Sequence, residues 1–168
     1  MKVIFLDIDG VLNSDEYIYK ARKLGFKGIE EEIDIEKVEL LTKAVEETGA
    51  RVVLSSSWRL TNNLSKIRDL FARYGIYLDT TPFIDNKRGI EIKKWLQDNQ
   101  GVEDFVILDD VIFDSFDDLL LKKLIKISNG NGLNLGEGLS AKDIENVIER
   151  LGRNKIKTFE EERWSWCL

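Results

Sequence analysis

What most constrains this chain is a short apolar run that stops abruptly on carboxylates. Val3-Ile4-Phe5-Leu6 is followed at once by Asp7-Ile8-Asp9-Gly10-Val11-Leu12. A run so short and so apolar reads as a strand buried on both faces, the kind that builds parallel sheets. The pattern recurs. Arg51-Val52-Val53-Leu54 runs into Ser55-Ser56-Ser57-Trp58-Arg59, and Phe105-Val106-Ile107-Leu108 runs into Asp109-Asp110. Ile76-Tyr77-Leu78 and Leu124-Ile125-Lys126-Ile127 read as a third and a fifth strand. Helical spacing fills the intervals. Val38, Leu41 and Val45 predict a helix from Ile35 to Thr48 that Gly49 stops. Leu64, Ile67, Leu70 and Phe71 predict a second, capped by Asn62 or Asn63 and ending near Tyr74-Gly75. Lys87-Arg88-Gly89 precedes a third marked by Ile90, Ile92, Trp95 and Leu96, and Ser140 with Asp143 forms a capping box for a last helix through Leu151. Strands alternating with crossover helices imply an α/β fold, a doubly wound parallel sheet with helices on both faces.

At 168 residues the chain is expected to form one domain with one core. Residues 14–34 are polar, mixed in charge and carry Tyr17, Tyr19 and Phe26. The segment is too short for a separate cap domain and reads as a flap over the carboxyl edge of the sheet, or as an ordinary connection. Residues 152–168 form a tail whose Trp164 and Trp166 are expected to dock on the body or on a partner. No apolar run has the length of a membrane span, and Met1 leads directly into a strand without a secretory signal, so the expected location is the cytoplasm.

Absences narrow the chemistry. The chain has no His and one Cys, Cys167, which excludes a Ser-His-Asp triad, a Cys-His dyad and ordinary structural zinc. A metal must therefore be held by oxygen, which suits Mg²⁺, Ca²⁺ or Mn²⁺. A formal charge of -6 disfavours broad adhesion to nucleic acid, although a local basic patch is compatible with it. In a parallel sheet the carboxyl ends of the strands share one edge, so Asp7, Asp9, Ser55, Asp109 and Asp110 converge in space. So many acids at close range repel and raise one another's pKa, and a bound cation reverses that cost. Plainer readings exist for each. Asp-x-Asp-Gly is common in turns, and one acid of Asp109-Asp110 is placed to cap the segment from Val111.

Taken together and in order, Asp7-Ile8-Asp9-Gly10-Val11, Ser55, Lys87 or Arg88, and Asp109-Asp110 resemble the four motifs of the haloacid dehalogenase (HAD) superfamily. Leu54-Ser55-Ser56-Ser57-Trp58-Arg59, Arg88-Gly89-Ile90-Glu91-Ile92 and Ile107-Leu108-Asp109-Asp110 are similar to its subgroup found in Swiss Army Knife RNA repair proteins. The resemblance implies a Rossmann-like core and a Mg²⁺-dependent phosphatase that works through an aspartyl-phosphate. Asp7 is then the nucleophile, and Asp9 the general acid and base. Asp7, Asp9 (through its backbone carbonyl), Asp109 and Asp110 hold or orient the metal. Ser55, or Ser56 if the strand ends one residue later, bonds the phosphoryl group, and Arg88 or Lys87 neutralises it. Trp58 and Arg59 either line the pocket or are a buried Trp and a surface Arg. The expected partner is a phosphorylated substrate, a small molecule or a nucleic-acid end, with no membrane. Two other classes compete: a phosphoacceptor receiver, which would carry its acid pair early and its Lys late, and a catalytically silent phosphate-binding domain.

Overall fold

The computed structural model describes residues 1–25, 31–128 and 136–154. Its centre is a five-stranded sheet in the order β3-β2-β1-β4-β5, with β1 at Lys2–Leu6, β2 at Arg51–Leu54, β3 at Leu78–Thr80, β4 at Asp104–Asp109 and β5 at Leu124–Lys126. Every pairing is parallel. The helices are α1 (Asp15–Lys23), α2 (Ile35–Thr48), α3 (Leu64–Ala72), α4 (Arg88–Asp98), α5 (Asp118–Lys123) and α6 (Ala141–Leu151), and a 3₁₀ turn spans Ser57–Leu60. This is the Rossmann-like doubly wound architecture expected from the alternation of patterns.

The strand period divides the core in two. Ile4, Leu6, Val52, Leu54, Val106 and Leu108 face Val38 and Leu41 of α2, Ile67 and Phe71 of α3, and Ile144 and Val147 of α6. Val3, Phe5, Val53, Phe105 and Ile107 face Ile92 and Trp95 of α4 and Leu120 of α5. Both faces of β1 are thus covered, and Val3, Ile4, Phe5 and Leu6 are fully buried. Trp95 and Phe105 meet the Phe5 ring edge-on, at centroid distances of 5.4 and 5.7 Å. Helix ends follow their sequence signals. Asp34 accepts from the Glu36 amide at the start of α2, Gly49 closes it in the left-handed region at φ 67°, and Ser140 and Asp143 form the capping box of α6.

Three expectations shift. The third strand begins at Leu78, not Ile76, because the Ile76 amide donates to the Phe71 carbonyl at 3.0 Å and finishes the turn that closes α3. Pairing with β2 starts only where Leu78 meets Val52. Asn63 is the N-cap of α3 but its side chain makes no capping bond. Arg88 is the first residue of α4, with Lys87 as its N-cap, so the basic pair straddles the helix start and does not precede it. Within residues 14–34 the chain forms α1, which Ser14 caps by accepting from the Tyr17 amide. The aromatic part of the expected tail, Trp164 to Trp166, lies outside the described residues.

Candidate active site

Register builds the site. β1 pairs Leu6 with Leu54 on one side and with Leu108 on the other. The residues that follow, Asp7, Ser55 and Asp109, therefore stand abreast at the carboxyl edge of the three central strands. Two backbone bonds extend the ladder to them: the Asp7 amide donates to the Leu108 carbonyl and the Ser55 amide to the Leu6 carbonyl, each at 2.9 Å. Strand order reverses direction at β1, and in open α/β sheets that is the crevice where ligands bind.

Asp7, Asp109 and Asp110 each offer a carboxylate oxygen within 4.8 Å of the others, and Asp7 and Asp109 are buried. Between them lies Arg88. Its Nη1 is 2.7 Å from Asp109 Oδ2 and 3.2 Å from Asp7 Oδ1, while its guanidinium carbon stands 4.6 Å from the centre of the Phe113 ring. Burial pushes the Asp109 carboxyl up to about 7, the Asp7 charge pushes in the same direction, and Arg88 opposes both. The other oxygen of Asp109, Oδ1, accepts from the Val111 amide at 3.0 Å. Asp109 thus caps the segment after β4 and faces the acid cluster at once, one oxygen serving each role. The donor set fits a hard divalent cation: it consists of carboxylate oxygen, and a cation among these groups would favour the ionised form that burial disfavours.

Asp9 sits apart from this cluster, exposed, and both of its oxygens are gripped. Asn13 Nδ2 donates to Oδ1 and Trp58 Nε1 to Oδ2, each at 2.9 Å. Asn13 also accepts from the Gly10 amide at 3.2 Å, and Gly10 turns at φ 71°, a conformation that favours glycine. The Ser55 and Ser56 side chains are both fully buried. The Ser55 hydroxyl donates to the Leu6 carbonyl at 3.2 Å. Ser56 Oγ accepts from the Trp58 amide, a bond that uses its lone pair and not its proton. Lys87 is exposed, in contrast to Arg88.

Of the two readings for Trp58 and Arg59, lining the pocket holds for Trp58, which borders a cavity, and a surface Arg59 does not hold. Trp58 is half-buried against Asp9, whereas Arg59 is buried and donates to the carbonyls of Ser55, Ser56, Thr81 and Pro82 and to Glu91 Oε2, the last at 2.7 Å. Glu91, itself 1% exposed, accepts from the Ile84 amide at 2.8 Å through its other oxygen. The pair ties the loop after β2 to α4. Asn13, Glu91 and Phe113 carried no expected role, although Glu91 stands inside the Arg88-to-Ile92 motif. The spacing of Asp9 and Asn13 is a further signal, since a short amide four residues after an acid in a tight turn can reach back to it.

A search against known families matches residues 3–137 to the HAD domain in Swiss Army Knife RNA repair proteins. No curated protein and no solved structure matches the chain significantly.

Proposed function

The chain belongs to the HAD domain family of Swiss Army Knife RNA repair proteins, and from that premise we propose that it is a Mg²⁺-dependent phosphohydrolase that forms a phosphorylated Asp7. One observation carries the reading: Arg88 bridges the Asp7 and Asp109 carboxylates at the strand edge where Asp110 completes a cluster of oxygen donors. A bland cap at Asp109 does not account for the guanidinium brought to the same two acids.

The side chains of Asp7 and Asp109 and the backbone carbonyl of Asp9 would hold the ion, with Asp110 beside them. When bound, Mg²⁺ supplies Lewis-acid charge that favours a phosphate among carboxylates. An Asp7 oxygen attacks phosphorus as the bond to the leaving oxygen breaks, and Asp9 gives that oxygen a proton. Asp9, now a carboxylate, takes a proton from water as the water attacks phosphorus and the Asp7–phosphorus bond breaks. The bonds from Asn13 and Trp58 hold the Asp9 carboxyl in one orientation through both steps. Arg88 compensates the charge gathered on Asp7 and the phosphoryl group, and Ser55 or Ser56 donates to the phosphoryl oxygens. The phosphate comes from a nucleotide or a polynucleotide end, the substrate class to which the family description points. Release of phosphate from an aryl phosphate tests the activity. Turnover should require Mg²⁺ and vanish with chelator and in Asp7→Asn; activity surviving either treatment refutes the reading.

A further inference from the structure

We propose that the cavity between α1 and Trp58 is a leaving-group subsite that takes a flat ring, the base of a nucleotide or of a nucleic-acid terminus. The cavity measures about 210 Å³ and is lined by Asp9 and Trp58 together with Ile18, Ala21 and Arg22 of α1. The proposal rests on the reading of Asp9 as the acid that protonates the leaving oxygen. A group released next to Asp9 departs on the side to which that residue is exposed, and the cavity is there.

The walls choose the ligand. Trp58 packs partly against the core and commits its N–H to Asp9, and these two contacts hold its ring at the cavity wall. A fixed indole is a stacking surface for any base, because every base has a π-face. Ile18 and Ala21 add apolar surface from α1. The remaining charge also discriminates, since among the described residues Asp9, Glu31 and Glu32 line the cavity against Arg22 and disfavour a second phosphate inside it. The volume falls below the about 300 Å³ at which pockets begin to hold drug-sized ligands, so it admits one ring system and not a run of nucleotides.

Two variants separate the ring of Trp58 from its N–H. The wild type should hydrolyse adenosine monophosphate with a kcat/KM at least tenfold above that for glycerol phosphate. Trp58→Phe, which keeps a ring and loses the bond to Asp9, should slow both substrates and keep the preference. Trp58→Leu should lose the preference. Adenosine itself, without phosphate or metal, should show saturation transfer from the Trp58 ring in the wild-type chain and none in Trp58→Leu. A preference that survives Trp58→Leu, or no transfer to adenosine in the wild type, overturns the subsite. Adenosine contact without hydrolysis of either ester supports the subsite and sinks the phosphatase reading instead. An oligonucleotide with a terminal phosphate that shows the same Trp58 dependence assigns the subsite to chain ends, and its rejection assigns it to free nucleotides.

Discussion

Arg88 is buried together with two carboxylates, Asp7 and Asp109, whose charge it compensates. Removing one partner of a buried charge group leaves the others unpaired and costs about 3–5 kcal/mol. Arg88→Ala should therefore lower the unfolding free energy from urea titration by that order in metal-free protein, and Mg²⁺ should recover part of the loss by supplying the missing positive charge. Asp109 sets a pH dependence with a definite sign. Its carboxyl is raised in the fold to about 7 from an ordinary value of 3.8, so it favours the fold fully only below that ordinary value. This contribution is lost as pH rises through 7. Metal-free protein should melt lower at pH 8 than at pH 5.5 on this account, and the gain in Tm on adding Mg²⁺ should be larger at pH 8. At this scale the sequence was legible where a residue ends a strand or follows one, as Asp109, Asp7 and Ser55 do. It was ambiguous at Trp58 and Arg59, because a 3₁₀ turn redirects both side chains and nothing in the local pattern announces that turn.

Helix α4 delivers Arg88, and its placement depends on a glycine. A Cβ on Gly89 would come within 2.1 Å of the Ser115 carbonyl oxygen, and the Gly89 amide donates to Ser115 Oγ at 2.9 Å. Backbone cannot yield as a side-chain tip can. Gly89→Ala should push the start of α4 off the segment after β4, cost about 1–3 kcal/mol, and lower kcat by displacing the neighbouring guanidinium. Ile90→Ala, exposed one residue on, should stay within about 0.5 kcal/mol of wild type and serve as the control. Elements with strong end signals were readable residue by residue, α2 and β2 among them, since the apolar spacing from Val38, the stop at Gly49 and the apolar run Val52 to Leu54 fix their bounds. β3 was misplaced by two residues because Ile76 is apolar for a different reason: it plugs the core as α3 ends, before strand pairing starts at Leu78.

For the whole molecule, the parallel register turns three separate stretches of sequence into one row of side chains, and the reversal of strand order at β1 opens the crevice beside them. Convergence of Asp7, Asp109 and Asp110 could be foreseen from strand alternation alone, whereas Asp9, expected with them, stands apart. What strand alternation does not encode is the contact of distant side chains, such as Arg59 with Glu91 or Trp58 with Asp9, since each joins residues 32 or 49 positions apart. No helix among the described residues is long and apolar enough to cross a membrane. The central claim is that phosphate passes through Asp7. It is tested most directly by acid-quenching the enzyme during turnover of a labelled phosphate ester and locating the covalent label. The account predicts a short-lived, hydroxylamine-sensitive phosphoryl group on Asp7 that is absent in Asp7→Asn. Phosphate release without any label on Asp7 would contradict it, as would a phospho-aspartate that persists long after substrate is gone.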